Sequence, residues 1–146
     1  MPTRRRIPLL EGRAAVAEWF NAQRDCTLRA FDPDVSEEQA EPGSLPAVDR
    51  AVMATAVRYT LEELTARAPG QALEVRVPPF GATQCIKGPR HTRGTPPGVV
   101  EMSPQTWLEV ATGSREWGEA LASGDVSASG ERANLSDLLP LTEERP

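Results

Sequence analysis

The chain has 146 residues, and its 16 Lys and Arg stand against 21 Asp and Glu, for a net charge of −5. That length suits one domain, which buries about two-thirds of its unfolded surface without disulfides or metals. The acidic balance argues against a nucleic-acid binder, which needs a basic face. The apolar runs fall well short of the roughly 18 residues that a transmembrane helix needs, so no transmembrane segment is predicted.

The cysteines and the start of the chain indicate a cytoplasmic protein without metal or cofactor. The apolar stretch behind Arg4, Arg5 and Arg6 is too short for a signal peptide. Cys26 and Cys85 lie far apart and are predicted to be free thiols. One histidine and two distant cysteines cannot supply the three or four ligands of a zinc site, and no glycine-rich phosphate cradle follows a strand.

Residues 1–45 are predicted to hold a helix and an acidic loop, either part of the domain or appended to it. Val16, Trp19 and Phe20 recur at helical spacing and predict a helix over residues 12–22. From residue 23 to 45 the periodicity ends, and Asp, Glu, Pro and Ser dominate. Composition favours a solvated linker there over an acidic docking segment.

A long helix is predicted over residues 46–68. It carries two apolar stripes, and two stripes imply two packing partners, a sheet and the N-terminal helix. The stripes are Val48, Val52, Ala56 and Tyr59 on one side and Met53, Val57, Leu61 and Leu64 on the other.

Three strands are predicted to follow. Residues 73–77 alternate apolar and charged side chains, and Pro78 and Pro79 break that strand. Residues 82–87 are the predicted return strand of a hairpin. A loop rich in Pro and Gly covers residues 88–98, and residues 99–102 form the third strand.

Two helices and a strand come next. Ser103 caps a helix over residues 104–112, with proline at its first position and Gly113 as its left-handed stop. Ser114 is predicted to cap a second helix that ends at Gly124. Residues 125–129 alternate and predict a fourth strand.

A last helix is predicted to begin at Asn134 and to end before Pro140. It would carry Leu135, Leu138 and Leu139 onto the sheet. Helix, helix, strand and helix would then close over one side of the sheet.

This C-terminal half resembles that of the sterol carrier protein family. The resemblance rests on residues 111–113, residues 120–124, Ser129–Gly130 and Leu138–Leu139, in this order and spacing. The upstream runs ATAVRYTLEELTARAPG and EVRVPPFGATQCIKGPRHTRGTPPGVVEM are similar to small actinobacterial members. The resemblance implies an α+β fold, a small, mostly antiparallel sheet of four to five strands covered by helices. Residues 46–141 would form that domain and residues 142–146 a tail.

The resemblance also implies non-enzymatic binding or carriage of an apolar small molecule, lipid or sterol-like, between sheet and helices. Family members place a hydrophobic tunnel there. A closed core would need the same apolar positions, so both interpretations stay open. The predicted lining residues are Val75, Val77, Trp107, Val110, Trp117, Leu121, Leu138 and Leu139.

A basic loop is the second candidate site. Lys87, Arg90, His91 and Arg93 gather positive charge in an acidic protein, which suits a phosphate, a carboxylate or an acidic segment of a partner protein. A solvated polar loop is the alternative. Cys85 and His91 lack a group that would orient them as a catalytic pair, so no enzyme is predicted. The alternative function is a non-catalytic accessory protein that acts through this loop with a closed core.

Overall fold

The computed structural model describes residues 5–30, 48–88 and 98–141 of the chain. Four helices and four strands lie within these ranges. They are α1 (Leu9–Ala30), α2 (Arg50–Arg67), β1 (Leu73–Val77), β2 (Gly81–Cys85), β3 (Gly98–Met102), α3 (Pro104–Thr112), α4 (Trp117–Ala122) and β4 (Val126–Gly130). None of the helices in these ranges combines the length and apolarity needed to cross a bilayer.

The strands form one mixed sheet in the order β2-β1-β3-β4. β1 pairs antiparallel with β2 and parallel with β3, while β3 pairs antiparallel with β4. Val75 lies opposite Val100, which in turn lies opposite Ala128. The α+β class and the small sheet of four strands covered by helices are therefore confirmed.

The alternation along β1 decides which face of the sheet is covered. Leu73, Val75 and Val77 are buried, whereas Arg76, on the opposite face, is exposed. α2 packs on β2 and α3 on one side and on α1 on the other, so it has the two predicted kinds of partner. Trp19 of α1 is fully buried.

Local capping explains two helix starts. The Asp49 carboxylate accepts a hydrogen bond from the Ala51 N–H at 3.1 Å, and α2 begins at Arg50 rather than near residue 46. The Ser103 hydroxyl accepts one from the Thr106 N–H at 3.2 Å, and Gly113 ends α3 at φ 82°, both as predicted.

Two further boundary predictions are wrong. α1 continues to Ala30 through residues predicted to be loop; the remainder of that loop, residues 31–45, lies outside the described residues. Ser114 does not cap α4, which begins after Glu116 without a side-chain cap. The Ser114 hydroxyl instead hydrogen-bonds that of Thr112 at 3.1 Å.

The last helix is absent as well. Asn134 accepts a hydrogen bond from the Ser136 N–H at 2.9 Å, and a single turn joins the Leu138 N–H to the Leu135 carbonyl at 3.0 Å. The few residues before Pro140 cannot repay the cost of helix nucleation. The chain end is nevertheless tied down, because the Leu141 N–H donates to the Ala111 carbonyl at 2.8 Å and Arg67 donates to the Leu141 carbonyl.

Candidate functional site

Five of the eight predicted lining residues lie in the packed core between the sheet and the helices. Val75, Val77 and Trp107 have no exposed surface, and Val110 and Trp117 are also buried. The Trp107 N–H donates to the Thr60 hydroxyl of α2 at 2.8 Å, so its polar atom is satisfied within the protein. These five side chains fill the space where a tunnel was predicted.

The other three predicted residues lie nearer the surface. Leu138 and Leu139 are half-buried in the terminal turn, and Leu121 of α4 is 38% exposed. Because the terminal helix is missing, its leucines form part of a short turn and not a helical face. The eight residues therefore do not form one lining.

A pocket of about 520 Å³ opens elsewhere, between the C-terminal half of α1 and the α3–α4 region. We name it the α1 pocket. Its residues divide into an α1 side and an α3–α4 side. The α1 side comprises Trp19, Phe20, Gln23, Arg24, Thr27 and Leu28, and the α3–α4 side comprises Glu109, Ser114, Arg115 and Glu119.

The α1 side supplies the apolar wall. The Trp19 and Phe20 rings lie 6.5 Å apart, centroid to centroid, and Leu28, two turns beyond Phe20, is 65% exposed. The Trp19 N–H donates to the Gln105 side chain of α3 at 3.2 Å, which fixes α1 against α3. The Gln23 amide nitrogen is buried without a hydrogen-bond partner among the described residues.

The α3–α4 side supplies a charged wall organised by Arg115. Its guanidinium donates to Asp125 at 2.8 Å, to Ser123 at 2.6 Å and to Glu109 at 3.4 Å. Hydrogen bonds from Arg115 and then Ser123 hold the pKa of the Asp125 carboxyl below its usual value. Because these charges are paired with one another, the wall is better suited to orienting a polar group of a ligand than to catalysis.

Sequence reasoning missed most of the α1 pocket. Gln23, Arg24, Thr27 and Leu28 were assigned to a loop. The residues after Phe20 carry no apolar stripe, so the local pattern gave no signal that the helix continues.

Of the four predicted anion-binding residues, the structure describes only Lys87. Its carbonyl accepts a hydrogen bond from Arg132 at 2.8 Å. Arg132, 45 residues away in sequence, therefore adds a positive charge beside Lys87. Arg90, His91 and Arg93 lie outside the described residues.

The two thiols are free and differ in environment. Burial raises the pKa of the Cys85 thiol to about 11, so it stays protonated at neutral pH, unlike an activated nucleophile. We expect Ellman's reagent at pH 8 to titrate one thiol in the native protein, Cys26, and two after unfolding. Two rapidly titrating thiols in the native state would contradict the buried position of Cys85.

Comparison with known families places most of the described fold in one of them. A family model described as "Bacterial SCP ortholog" matches residues 49–141. The match begins at the residue that caps α2 and ends at the last buried leucine, so α1 lies outside it. No curated protein matches the chain.

Proposed function

Because the chain belongs to the family of bacterial orthologues of sterol carrier protein, we propose that it binds and carries an apolar small molecule, such as a lipid or a sterol, without catalysing a reaction. The proposal puts the ligand in the α1 pocket and not in the sheet–helix core predicted from the sequence. The observation that carries it is an open volume of about 520 Å³ beside an apolar wall, whereas five of the eight predicted lining residues are buried in the core.

The size and chemistry of the α1 pocket support this placement. Small-molecule sites usually enclose 300–1,000 Å³ and combine an apolar wall with a few polar groups. A chain packed on Phe20 and Leu28 would gain about 2.5 kcal/mol for each 100 Å² of apolar surface removed from water. A polar end would meet Gln23 and the charged wall around Arg115.

The binding test compares two exposed leucines of α1. Delipidated protein is titrated with cis-parinaric acid, a fatty acid whose fluorescence increases in an apolar environment. We expect Leu28→Glu to weaken binding at least about tenfold, because it loses apolar contact and adds a carboxylate that must be desolvated. Leu10→Glu is the matched control, since Leu10 is 81% exposed and does not line the pocket.

Two outcomes would contradict the proposal. Equal affinity of the Leu28→Glu and Leu10→Glu variants would exclude the α1 pocket as the site. No uptake by the wild-type protein, together with a bare mass in native mass spectrometry of the purified chain, would contradict ligand carriage altogether. That second result would favour the accessory-protein alternative.

A further inference from the structure

A second depression, of about 450 Å³, lies where the N-terminal half of α2 meets the turn between β1 and β2. It shares no residue with the α1 pocket. Arg50, Ala54 and Arg58 of α2 form one side and Pro79 and Phe80 of the turn form the other. We name it the arginine trough.

Helical spacing creates the trough. Arg50, Ala54 and Arg58 follow one another at intervals of four residues, so they lie on one stripe of α2. The two arginines are two turns apart, roughly 12 Å along the helix axis. The small Ala54 side chain between them leaves a hollow flanked by two long cationic side chains.

Phe80 holds both arginines in place. The Arg58 Nε donates to the Phe80 carbonyl at 3.0 Å, and the Arg50 guanidinium carbon lies 5.4 Å from the centre of the Phe80 ring. An arginine over an aromatic face is stabilised by cation–π attraction. Both guanidiniums are thus ordered around one residue, which lowers the entropy cost of binding a ligand.

The charge of the trough differs in sign from that of the whole protein. Among the described residues, neither Arg50 nor Arg58 forms an ion pair with Asp or Glu. Asp49 also borders the trough, but its carboxylate caps α2 by accepting from the Ala51 N–H. Two arginines against this one carboxylate leave a local positive charge in a chain of net charge −5.

We propose that the arginine trough binds a small organic anion, with its phosphate or carboxylate group between Arg50 and Arg58. Guanidinium groups offer planar forks of N–H donors that match both kinds of anion. The organic part of the ligand packs against Pro79 and Ala54. This site is separate from the apolar site proposed above and does not depend on it.

The test follows the arginine Nε–Hε signals of the full-length ¹⁵N-labelled protein by NMR. Inorganic phosphate, phenyl phosphate and benzoate are titrated in separate arms, which distinguish the two anionic groups and the contribution of the organic part. We expect saturable shifts of the Arg50 and Arg58 signals, with phenyl phosphate or benzoate binding more tightly than inorganic phosphate.

Substitutions locate the site. Arg50→Gln and Arg58→Gln should each raise the Kd of the tightest ligand about tenfold, the effect of losing a charge-assisted hydrogen bond. Arg58→Lys keeps the positive charge but loses the planar fork of N–H donors, so its Kd should lie between those of the wild type and Arg58→Gln. Arg76→Gln is the matched control, because Arg76 is exposed on β1 and pairs with Glu74 at 2.7 Å.

Three results would overturn the proposal. The first is the absence of a saturable shift with any of the three anions. The second is an affinity that is unchanged by both glutamine substitutions, and the third is an affinity that falls only when Arg90 and Arg93 are replaced. The last result would assign anion binding to the basic loop predicted from the sequence.

Discussion

Gly12→Ala is expected to destabilise the protein by about 2–3 kcal/mol and to lower its Tm by roughly 10 °C. A Cβ at Gly12 would lie 2.8 Å from the Cβ of Tyr59 and closer still to its ring. The backbone of α2 fixes the Tyr59 Cβ, and no change of rotamer moves it, so α1 must move off α2. Thermal unfolding followed by circular dichroism measures the loss.

Gly118→Ala provides the matched control for this substitution. Gly118 lies near the start of α4, and a Cβ there meets nothing within 4 Å. Alanine should therefore stabilise the protein by about 0.5 kcal/mol, through a lower entropy of the unfolded chain. If Gly12→Ala, like Gly118→Ala, did not lower the Tm, α1 would not pack on α2 as described.

Thr60→Val is expected to cost about 2 kcal/mol although it hardly changes the volume of the side chain. The Thr60 hydroxyl accepts the Trp107 N–H at 2.8 Å, and both residues are fully buried. Valine removes the acceptor and leaves a buried N–H without a partner. Urea unfolding measures the free energy of unfolding of each variant.

A double-mutant cycle with Trp107→Phe isolates this hydrogen bond. Phenylalanine has no N–H, so Thr60→Val in that background should cost less than about 0.5 kcal/mol. An equal cost in both backgrounds would contradict the bond between α2 and α3.

The elements with a strong periodic signal could be predicted from the sequence. β1 alternates because one face meets the helices and the other meets solvent, and α3 is flanked by a cap, Ser103, and a stop, Gly113. The hairpin follows from the break at Pro78 and Pro79. Local chemistry determines each of these, so no knowledge of distant contacts was required.

The elements that failed depend on tertiary contacts. The end of α1 carries no apolar stripe, because it faces the charged wall of the α1 pocket and does not pack against the core. The terminal leucines matched a helical spacing, but too few residues precede Pro140 for a helix, and hydrogen bonds of Leu141 to Ala111 and Arg67 tie the chain end to α3 and α2. Neither contact is visible in a local pattern.

The candidate site was harder to predict than the fold. The resemblance placed the ligand between sheet and helices, where Val75, Val77 and Trp107 turn out to be packed core. The α1 pocket needs residues from α1, which precedes the matched region. It also needs Glu109 and Arg115, whose proximity to α1 follows only from the packing.

The position of a bound apolar chain tests the account most directly. In the complex of the protein with ¹³C-labelled palmitate, we predict intermolecular nuclear Overhauser effects between the acyl chain and Phe20, Thr27 and Leu28. Effects to Val75, Val77 and Val110 instead would place the ligand inside the core, and the assignment of the α1 pocket as the carrier site would be wrong.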